Sequence, residues 1–205
     1  MDIRQDMVGI QLDQKRALAL VEKAVEGGST LVRLPVVPDN PKITASDLRT
    51  IDTALGSFTT SFNQGKRDRS HNLRLASGEI DGVVLMPGQV FSYNSIVGPR
   101  LQARGYREAQ IFVRGRLENG LGGGVCQVSS TLYNAVLLAG LKVLKRAPHS
   151  QTVPYVVPGR DATVAYGQID FQFENSNPTP VCIVSQVVGS KLRVDVYGAR
   201  ADKRN

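Results

Sequence analysis

The residue types that could carry out chemistry are concentrated between Gly120 and Leu141, where a glycine-rich loop leads through Cys126 into a helical pattern. Apolar side chains recur there at steps of three and four, the spacing of one buried helix face; they are Val128, Leu132, Val136 and Ala139. The pattern places Cys126 at or just inside the helix N-terminus, where unpaired N–H groups and the helix dipole favour a thiolate. Cys126 is therefore a candidate nucleophile, and the alternative is a small buried apolar residue beside a turn.

A nucleophilic cysteine needs a base, and the base needs a group that orients it. His149 follows the predicted helix and one short strand, so the chain can return it towards the start of the helix. Asp161 in a turn and Asp170 on a strand are the candidate orienting carboxylates, and Asp161 has the freer geometry. The N–H of Cys126, with Gln127 or a glycine-loop amide, could supply an oxyanion hole. In the alternative, His149 ends a strand in solvent and Asp161 only stabilises its own turn.

The same residue types could bind zinc, with Cys126, His71, His149 and one aspartate as the four ligands. They lack the short ligand spacing that zinc sites usually include, so we predict no metal and no other cofactor. The second cysteine, Cys182, lies in the strand pattern Val181-Cys-Ile-Val-Ser-Gln with apolar neighbours on both faces. That setting fits a buried thiol, and we predict that it forms no disulfide with Cys126.

Composition limits the partners of the chain. Of its 205 residues 41% are hydrophobic and 21% charged, which is typical of a globular protein, and no apolar run is long enough to cross a membrane. The net charge of +7 and two arginine clusters suit an anionic polymer. Because there is no Trp and no basic motif interleaved with aromatic residues, we predict no nucleic-acid partner. We also predict no membrane contact by this chain itself, and its oligomeric state stays open.

The elements that must position these residues predict an α+β fold. The helix that carries Cys126 at its N-terminus is expected to pack on a mostly antiparallel sheet, whose strands are predicted at 57–62, 83–85, 89–93, 109–113, 116–117, 141–145, 162–166, 168–174, 181–188 and 191–197, with 152–157 extended. Residues 8–37 form a small βαβ-like piece. In it Asp13 caps a helix with inward apolar side chains, Gly27-Gly28 ends that helix, and residues 29–37 form a strand.

A series of motifs stands in order along the chain. They are Gly88-Gln-Val-Phe-Ser-Tyr-Asn94, Val97-Gly-Pro-Arg100, Gly105-Tyr106, the stretch 122–134, His149-Ser150, Tyr155 and Gly159-Arg-Asp-Ala-Thr-Val164. Over residues 55–198 they resemble the VanW family, the vancomycin B-type resistance accessory proteins and their relatives. Residues 8–48 resemble the end of a peptidoglycan-binding domain that often precedes the VanW domain. The expected organisation is a remnant of that domain (1–40), a linker (41–54), a VanW-like domain (55–198) and a charged tail (199–205).

The resemblance implies an extracytoplasmic, cell-envelope protein of mostly Gram-positive type bacteria, usually anchored outside the membrane. It does not supply a reaction, but it includes both Cys126 and His149 among the recognised motifs. We therefore expect an enzyme acting on peptidoglycan peptides by acyl transfer or amide hydrolysis, with Cys126 as nucleophile, His149 as base and Asp161 as the orienting residue. The alternatives are a non-catalytic cell-wall-binding module and a structural partner in an envelope complex linked to glycopeptide resistance.

Substrate contacts are expected from the glycine loop, from the start of the helix and from one arginine cluster. The predicted residues are Gly122, Gly123, Gly124, Gln127, Ser129, Arg104 and Arg107. The expected partner is peptidoglycan or an anionic wall polymer, which the arginines would attract.

Overall fold

The computed structural model describes residues 3–113 and 116–203 of the chain. The chain divides into two compact units after Arg49. This division lies inside the stretch 41–54 that the sequence marks as a linker. The exact limits of the expected remnant, domain and tail remain predictions.

The first unit is built on a two-stranded ribbon and one longer helix. Its elements are β1 (Gly9–Leu12), α1 (Gln14–Glu26), β2 (Val36–Asp39) and α2 (Ala45–Arg49). Asp13 caps α1 as predicted, because its carboxylate accepts from the N–H of Arg16 at 3.0 Å, and the helix is closed by Gly27. The β-α-β order is the predicted one, although β1 and β2 pair antiparallel.

Two expectations for this unit are wrong. The strand expected over 29–37 is reduced to β2, since Pro35 has no N–H for a ladder and its carbonyl accepts from the N–H of Asp13 at 3.0 Å. The large apolar side chains of α1 do not face inward, and only Ala17 of this helix is buried. One helix and a two-stranded ribbon offer too little surface to cover an apolar face. The exposed side chains, 40% to 74% accessible, are Leu18, Leu20, Val21 and Val25.

The second unit arranges its strands around one central helix. Its elements are β3 (Thr53–Ser61), α3 (Arg67–Ile80), β4 (Val84–Leu85), β5 (Val90–Ser92), α4 (Tyr93–Val97), β6 (Glu108–Val113), β7 (Arg116–Leu121), α5 (Val125–Leu138), β8 (Lys142–Lys145), β9 (Gln172–Glu174), β10 (Val181–Val188) and β11 (Lys191–Gly198). A four-stranded sheet has the order β3-β11-β10-β4, a three-stranded sheet the order β5-β9-β8, and β6 pairs with β7. All of these pairs are antiparallel, which confirms the predicted α+β class.

The predicted central helix is confirmed as α5, which packs on β3 and β11 of the larger sheet. Its apolar positions Val128, Leu132 and Val136 are fully buried, as the spacing predicts. Strand and helix approach very closely at Gly56, where an added Cβ would lie 2.3 Å from the carbonyl oxygen of Ala135. Only glycine fits there, so the helix backbone rests directly on the strand and the direction of α5 is fixed.

The segment between β8 and β9 is less regular than predicted. The stretch 152–157, expected to be extended, contains a turn at 154–155 and a bend at 156, and the strand expected over 162–166 is reduced to a single bridge between Ala165 and Ile169. The backbone groups of this segment bond elsewhere: the carbonyl of Arg160 accepts from Asn134 Nδ2 at 2.7 Å, and that of Ala162 accepts from Ser129 Oγ at 2.7 Å. Because side chains of α5 satisfy these groups, no ladder partner is needed.

Candidate active site

Cys126 is the second residue of α5 and lies just inside its N-terminus, as the pattern predicts. The N–H groups on either side of it are used, because Val125 donates to Gly122 O at 3.1 Å and Gln127 donates to Gly124 O at 3.0 Å. The N–H of Cys126 has no acceptor within the part of the chain that the structure describes. The residue is partly exposed. The first turn of the helix therefore presents an unused backbone donor beside the sulfur.

The glycine loop is shaped by contacts inside the chain. A Cβ on Gly123 would lie 2.6 Å from Gln110 O, and one on Gly124, whose φ is +109°, would lie 2.8 Å from Arg69 O. A Cβ on Gly122 would lie 2.8 Å from the side chain of Arg100. Close packing against the protein itself therefore requires these glycines, and their contact with a substrate stays a prediction.

His149 and Asp161 form a buried, directly bonded pair. Asp161 Oδ2 lies 2.6 Å from His149 Nδ1 and accepts from the His149 backbone N–H at 2.5 Å. The two side chains are only 6% and 9% exposed. Burial acts to raise the pKa of Asp161, but the hydrogen bonds from His149 and its charge outweigh burial and lower that pKa. A carboxylate accepts only, so Nδ1 carries the hydrogen and Nε2 is the nitrogen left for another partner.

The Cys126 side chain is the other group that acts on this imidazole. Burial acts to lower the pKa of His149, but the hydrogen bond and charge interaction with the Cys126 side chain, followed by those with Asp161, raise it. The thiol also donates to the carbonyl of Val164 at 3.5 Å. The structure thus brings the predicted nucleophile, base and orienting carboxylate together in one row.

The choice between the two candidate carboxylates has a geometric answer. Asp170 accepts from Ser92 Oγ at 2.6 Å, from the N–H of Asn94 at 2.8 Å and from Gln172 Nε2 at 2.8 Å. It therefore organises the start of α4. Asp161 is the carboxylate that contacts the histidine.

Gln127 and Ser129 are buried and use their polar atoms inside the fold. Gln127 Nε2 donates to Thr60 Oγ1 at 3.0 Å and to Ser61 O at 2.9 Å, which ties α5 to β3. Ser129 Oγ donates to Ala162 O at 2.7 Å, next to Asp161. These bonds hold the cysteine and the carboxylate in place, while direct substrate contact by the two residues stays a prediction.

The two predicted arginines lie in surface ion pairs. Arg104 donates to Val97 O at 2.6 Å and to Glu79 Oε1 at 3.1 Å. Arg107 pairs with Asp68 at 3.1 Å and stays 55% exposed. His71, the second histidine, contacts Gly105 O at 2.9 Å, and within residues 3–113 and 116–203 no group of side chains is placed to hold a metal ion.

Three residues of the site were missed by the sequence argument as functional candidates. Arg146 donates from Nη2 to Asp161 Oδ1 at 3.0 Å and from Nε to Asp161 O at 2.6 Å, so it fixes the carboxylate from the side opposite His149. Arg69 donates to Gln127 Oε1 at 2.9 Å. Burial, and then the charge of the neighbouring Cys126, raise the pKa of Tyr155, and Ser130 acts on this pKa in the opposite direction. The position of Tyr155 inside a family motif was the one available signal, and spacing alone marks neither arginine.

Two recesses border the segment that follows His149. A groove of about 760 Å³ is lined by Phe58, Leu138 and residues 153–158, and Tyr155 belongs to its wall. A smaller recess of about 190 Å³ includes His149 and Asp161. Both share Val153 and residues 156–158, so this segment separates the histidine from the larger groove.

Comparison with known proteins places these residues in a family. A family profile described as VanW like protein matches residues 68–197, which include Cys126, His149 and Asp161. The chain belongs to the VanW-like family. It is 42% identical over 173 residues to the uncharacterized protein YoaR of Bacillus subtilis (strain 168), covering 84% of this chain and 57% of that protein.

A second VanW-like relative is the vancomycin B-type resistance protein VanW of Enterococcus faecalis (strain ATCC 700802 / V583). It is 28% identical over 130 residues, covering 60% of this chain and 47% of that protein. The chain thus spans about half the length of the curated relatives it matches. No solved structure matches it. In the described residues, no helix is long and apolar enough to span a bilayer.

Proposed function

We propose that this VanW-like chain is a cysteine-dependent enzyme that acts on the peptides of peptidoglycan by acyl transfer or amide hydrolysis. The observation that supports the proposal is the row formed by Cys126, His149 and Asp161. It combines a helix-borne thiol, a histidine coupled to it, and a carboxylate 2.6 Å from the second ring nitrogen. This is the arrangement in which a base activates a nucleophile and a third group orients the base.

In the first step the Cys126 thiol gives its proton to His149 Nε2, and the sulfur attacks the carbonyl carbon of an amide. The negative charge that develops on the carbonyl oxygen is stabilised by the unused N–H of Cys126. The C–N bond then breaks, and the leaving amine takes the proton from His149. The products of this half-reaction are a thioester on Cys126 and a free amine.

In the second step an amine or a water molecule attacks the thioester. His149 accepts the proton of the attacking group and returns it to the sulfur as the C–S bond breaks. An amine gives a new amide and therefore acyl transfer, whereas water gives a carboxylic acid and therefore hydrolysis. Asp161, held by Arg146 at 3.0 Å, keeps the imidazole in one orientation and stabilises its charged form in both steps.

The setting that we propose is the cell envelope, outside the cytoplasmic membrane. The name of the Enterococcus relative refers to vancomycin resistance, which supports a substrate or partner connected with the wall. The net charge of +7 would also favour contact with an anionic wall polymer. A non-catalytic wall-binding module is the alternative if the cysteine is inert.

The test is the alkylation rate of Cys126 by iodoacetamide as a function of pH, read for each cysteine by peptide mass spectrometry. If His149 accepts the thiol proton, Cys126 reacts quickly at neutral pH, and His149→Ala slows that reaction roughly tenfold or more. Asp161→Asn should give an intermediate rate, because the imidazole loses its orienting partner.

The matched control is His71→Ala, which removes the other histidine of the chain and should leave the rate unchanged. Cys182 serves as the internal reference in every sample. A Cys126 rate that is the same in the wild type, His149→Ala and His71→Ala would remove the basis for catalysis and leave the groove as a binding surface.

A further inference from the structure

Arg69 is a half-buried cation without a carboxylate partner. It lies on α3, and its only hydrogen-bond acceptor in the described part of the chain is the neutral Oε1 of Gln127, at 2.9 Å from Nη2. It takes part in no ion pair with the described residues. Burial lowers the pKa of Arg69, and Tyr155 and Cys126 are the groups whose charge acts on it in the opposite direction. Desolvated cations are usually paired, so the missing counter-charge needs an explanation.

Arg69 lies against residues on both sides of Cys126 in the chain, Gly124 and Gln127. Its backbone oxygen and Cγ would lie 2.8 Å and 3.1 Å from a Cβ on Gly124, the residue that begins the turn of Cys126. The bond that Arg69 donates to Gln127 Oε1 fixes one end of its guanidinium next to the first turn of α5. Nε and Nη1 find no acceptor among the described residues, which leaves them available to a bound molecule.

The charges around Cys126 show that its thiolate does not need this arginine. Asp161 is balanced by Arg146 at 3.0 Å, and a thiolate would be balanced by the imidazolium of His149. With the proton on sulfur instead, both Cys126 and His149 are neutral. In either state these four groups carry no net charge among themselves, so they do not balance the charge of Arg69.

We infer that Arg69 binds a carboxylate that the substrate carries close to the carbonyl attacked by Cys126. The inference rests on the proposed function for the identity of the attacked group, and it narrows the substrate to acidic amides. A guanidinium is suited to this role because its planar donors match the two oxygens of a carboxylate. Gln127, which is buried, holds the guanidinium of Arg69 at a fixed position.

The test compares two alkylating agents that differ in charge. Iodoacetate carries a carboxylate next to the reacting carbon, whereas iodoacetamide has a neutral amide in its place. If Arg69 binds carboxylates beside the sulfur, Cys126 prefers iodoacetate relative to the same cysteine in unfolded protein. Arg69→Gln should then reduce the ratio of the two rates about tenfold, the loss expected for one charge-assisted hydrogen bond. The iodoacetamide rate should fall less than the iodoacetate rate.

Two matched variants isolate the contribution of Arg69. Arg74→Gln removes an exposed arginine from the same helix and should leave the ratio unchanged. Arg69→Gln is also made in the His149→Ala background, where both rates fall but the ratio should still drop. The failure of the catalytic proposal and that of this inference are therefore distinguishable. An equal loss of both rates would make Arg69 a partner of the thiolate only and would overturn the inference, and so would an unchanged ratio.

An equilibrium measurement keeps the inference testable if Cys126 reacts too slowly with both agents. Cys126→Ala protein is titrated with N-acetylalanine and with N-acetylalaninamide while the Arg69 Nε–H signal is followed by NMR. The acid should shift this signal and the amide should not. A melting curve establishes that Arg69→Gln is folded, and Arg69→Lys, which keeps the charge, should retain part of the carboxylate preference. Identical responses to acid and amide would contradict the inference.

Discussion

The chain carries two cysteines in opposite surroundings, one at the start of α5 and one inside β10. Cys126 is partly exposed and lies beside a histidine and an unused backbone donor. Cys182 is 2% exposed and is paired in register between Val84 and Tyr197. Burial, and secondarily Asp81, raise the pKa of the Cys182 thiol. The comparison shows that the element carrying a cysteine decides whether its thiol is buried or partly open to solvent.

Both cysteines are free, which confirms the prediction that they form no disulfide. The strand pattern around Cys182 also predicted its burial correctly. Inside the sheet, the backbone groups next to Cys182 are hydrogen-bonded to the neighbouring strands. The first turn of a helix, by contrast, leaves backbone N–H groups without partners.

The largest effect that we expect is the difference in labelling between the two thiols of the folded protein. Cys182 can react only when β10 opens, because its neighbours on both sides are hydrogen-bonded in the sheet. Iodoacetamide should therefore modify Cys126 faster by at least roughly two orders of magnitude. In urea above the unfolding transition the two rates should converge. Equal rates under native conditions would contradict the expected difference in accessibility between the two thiols.

The second effect concerns the stability of the site around Cys126. Asp161→Ala removes the carboxylate that Arg146 and His149 contact and leaves the partly buried Arg146 without a counter-charge, so we expect a loss of about 3 kcal/mol in the free energy of unfolding. Urea denaturation measures it. Asp68→Ala, which removes the exposed carboxylate paired with Arg107, is the control and should cost far less. A loss below that of the control would mean that the row is held by backbone contacts alone.

The site around Cys126 should also make the stability of the protein depend on pH, through Asp161 and His149. The pKa of Asp161 is lowered in the folded state, so its contribution is present above the unfolded pKa and is lost as pH falls through the folded one. The pKa of His149 is raised, so its contribution is present below the unfolded pKa and is lost as pH rises through the folded one. Stability should therefore be highest between the unfolded pKa of Asp161 and the unfolded pKa of His149. His149→Gln should remove the fall in melting temperature on the alkaline side that His149 causes. Replacement of Cys182, whose raised pKa affects stability only above the ordinary thiol range, should leave the profile unchanged below about pH 8.

A smaller effect is expected at the buried cysteine. Cys182→Ser places a hydroxyl in a strand interior where a weakly polar thiol was buried, at a cost of roughly 2 kcal/mol. Cys182→Ala separates the loss of volume from the added polarity and should cost less. Neither variant should change the alkylation rate of Cys126. If either one does, the two regions are coupled and cannot be treated as separate.

The smallest effect concerns arginines that lie outside both cysteine sites. Arg104 and Arg107 each form an exposed ion pair, so replacing both by Glu should change stability by at most about 1 kcal/mol. Sedimentation with purified cell wall should weaken at low salt, and wild-type binding should fade as salt rises. Binding that ignores both the substitutions and the salt would restrict the two arginines to their ion pairs.

The central part of the fold was predictable because its signals are local. The three- and four-residue spacing of Val128, Leu132 and Val136 fixed α5, and the alternating runs around Gly189 predicted β10 and β11. The position of Cys126 followed from the start of that helix. The pairing of His149 with Asp161 was a hypothesis with Asp170 as the alternative, and only the folded geometry separates the two carboxylates.

What could not be predicted depends on contacts between distant parts of the chain. Arg146 and Arg69 give no local sign of their roles, since the groups they bind lie 15 and 58 positions away. The strand expected over 162–166 failed because Ser129 and Ser130 on α5 satisfy its backbone. The apolar face of α1 predicts burial, but the unit that contains it provides nothing to cover that face.

The pairing of β3 with β11 has a consequence for the time at which the second unit can be completed. β3 is an edge strand whose ladder joins Thr53 to Gly198 and Ser61 to Lys191, so among the described residues its strand partner is β11, which is synthesised much later. At ordinary translation speeds β3 therefore waits on the order of ten seconds for that partner. The same pairing places the first and the last strand of the unit side by side. This is the geometry in which a whole domain can be inserted into a loop of another protein.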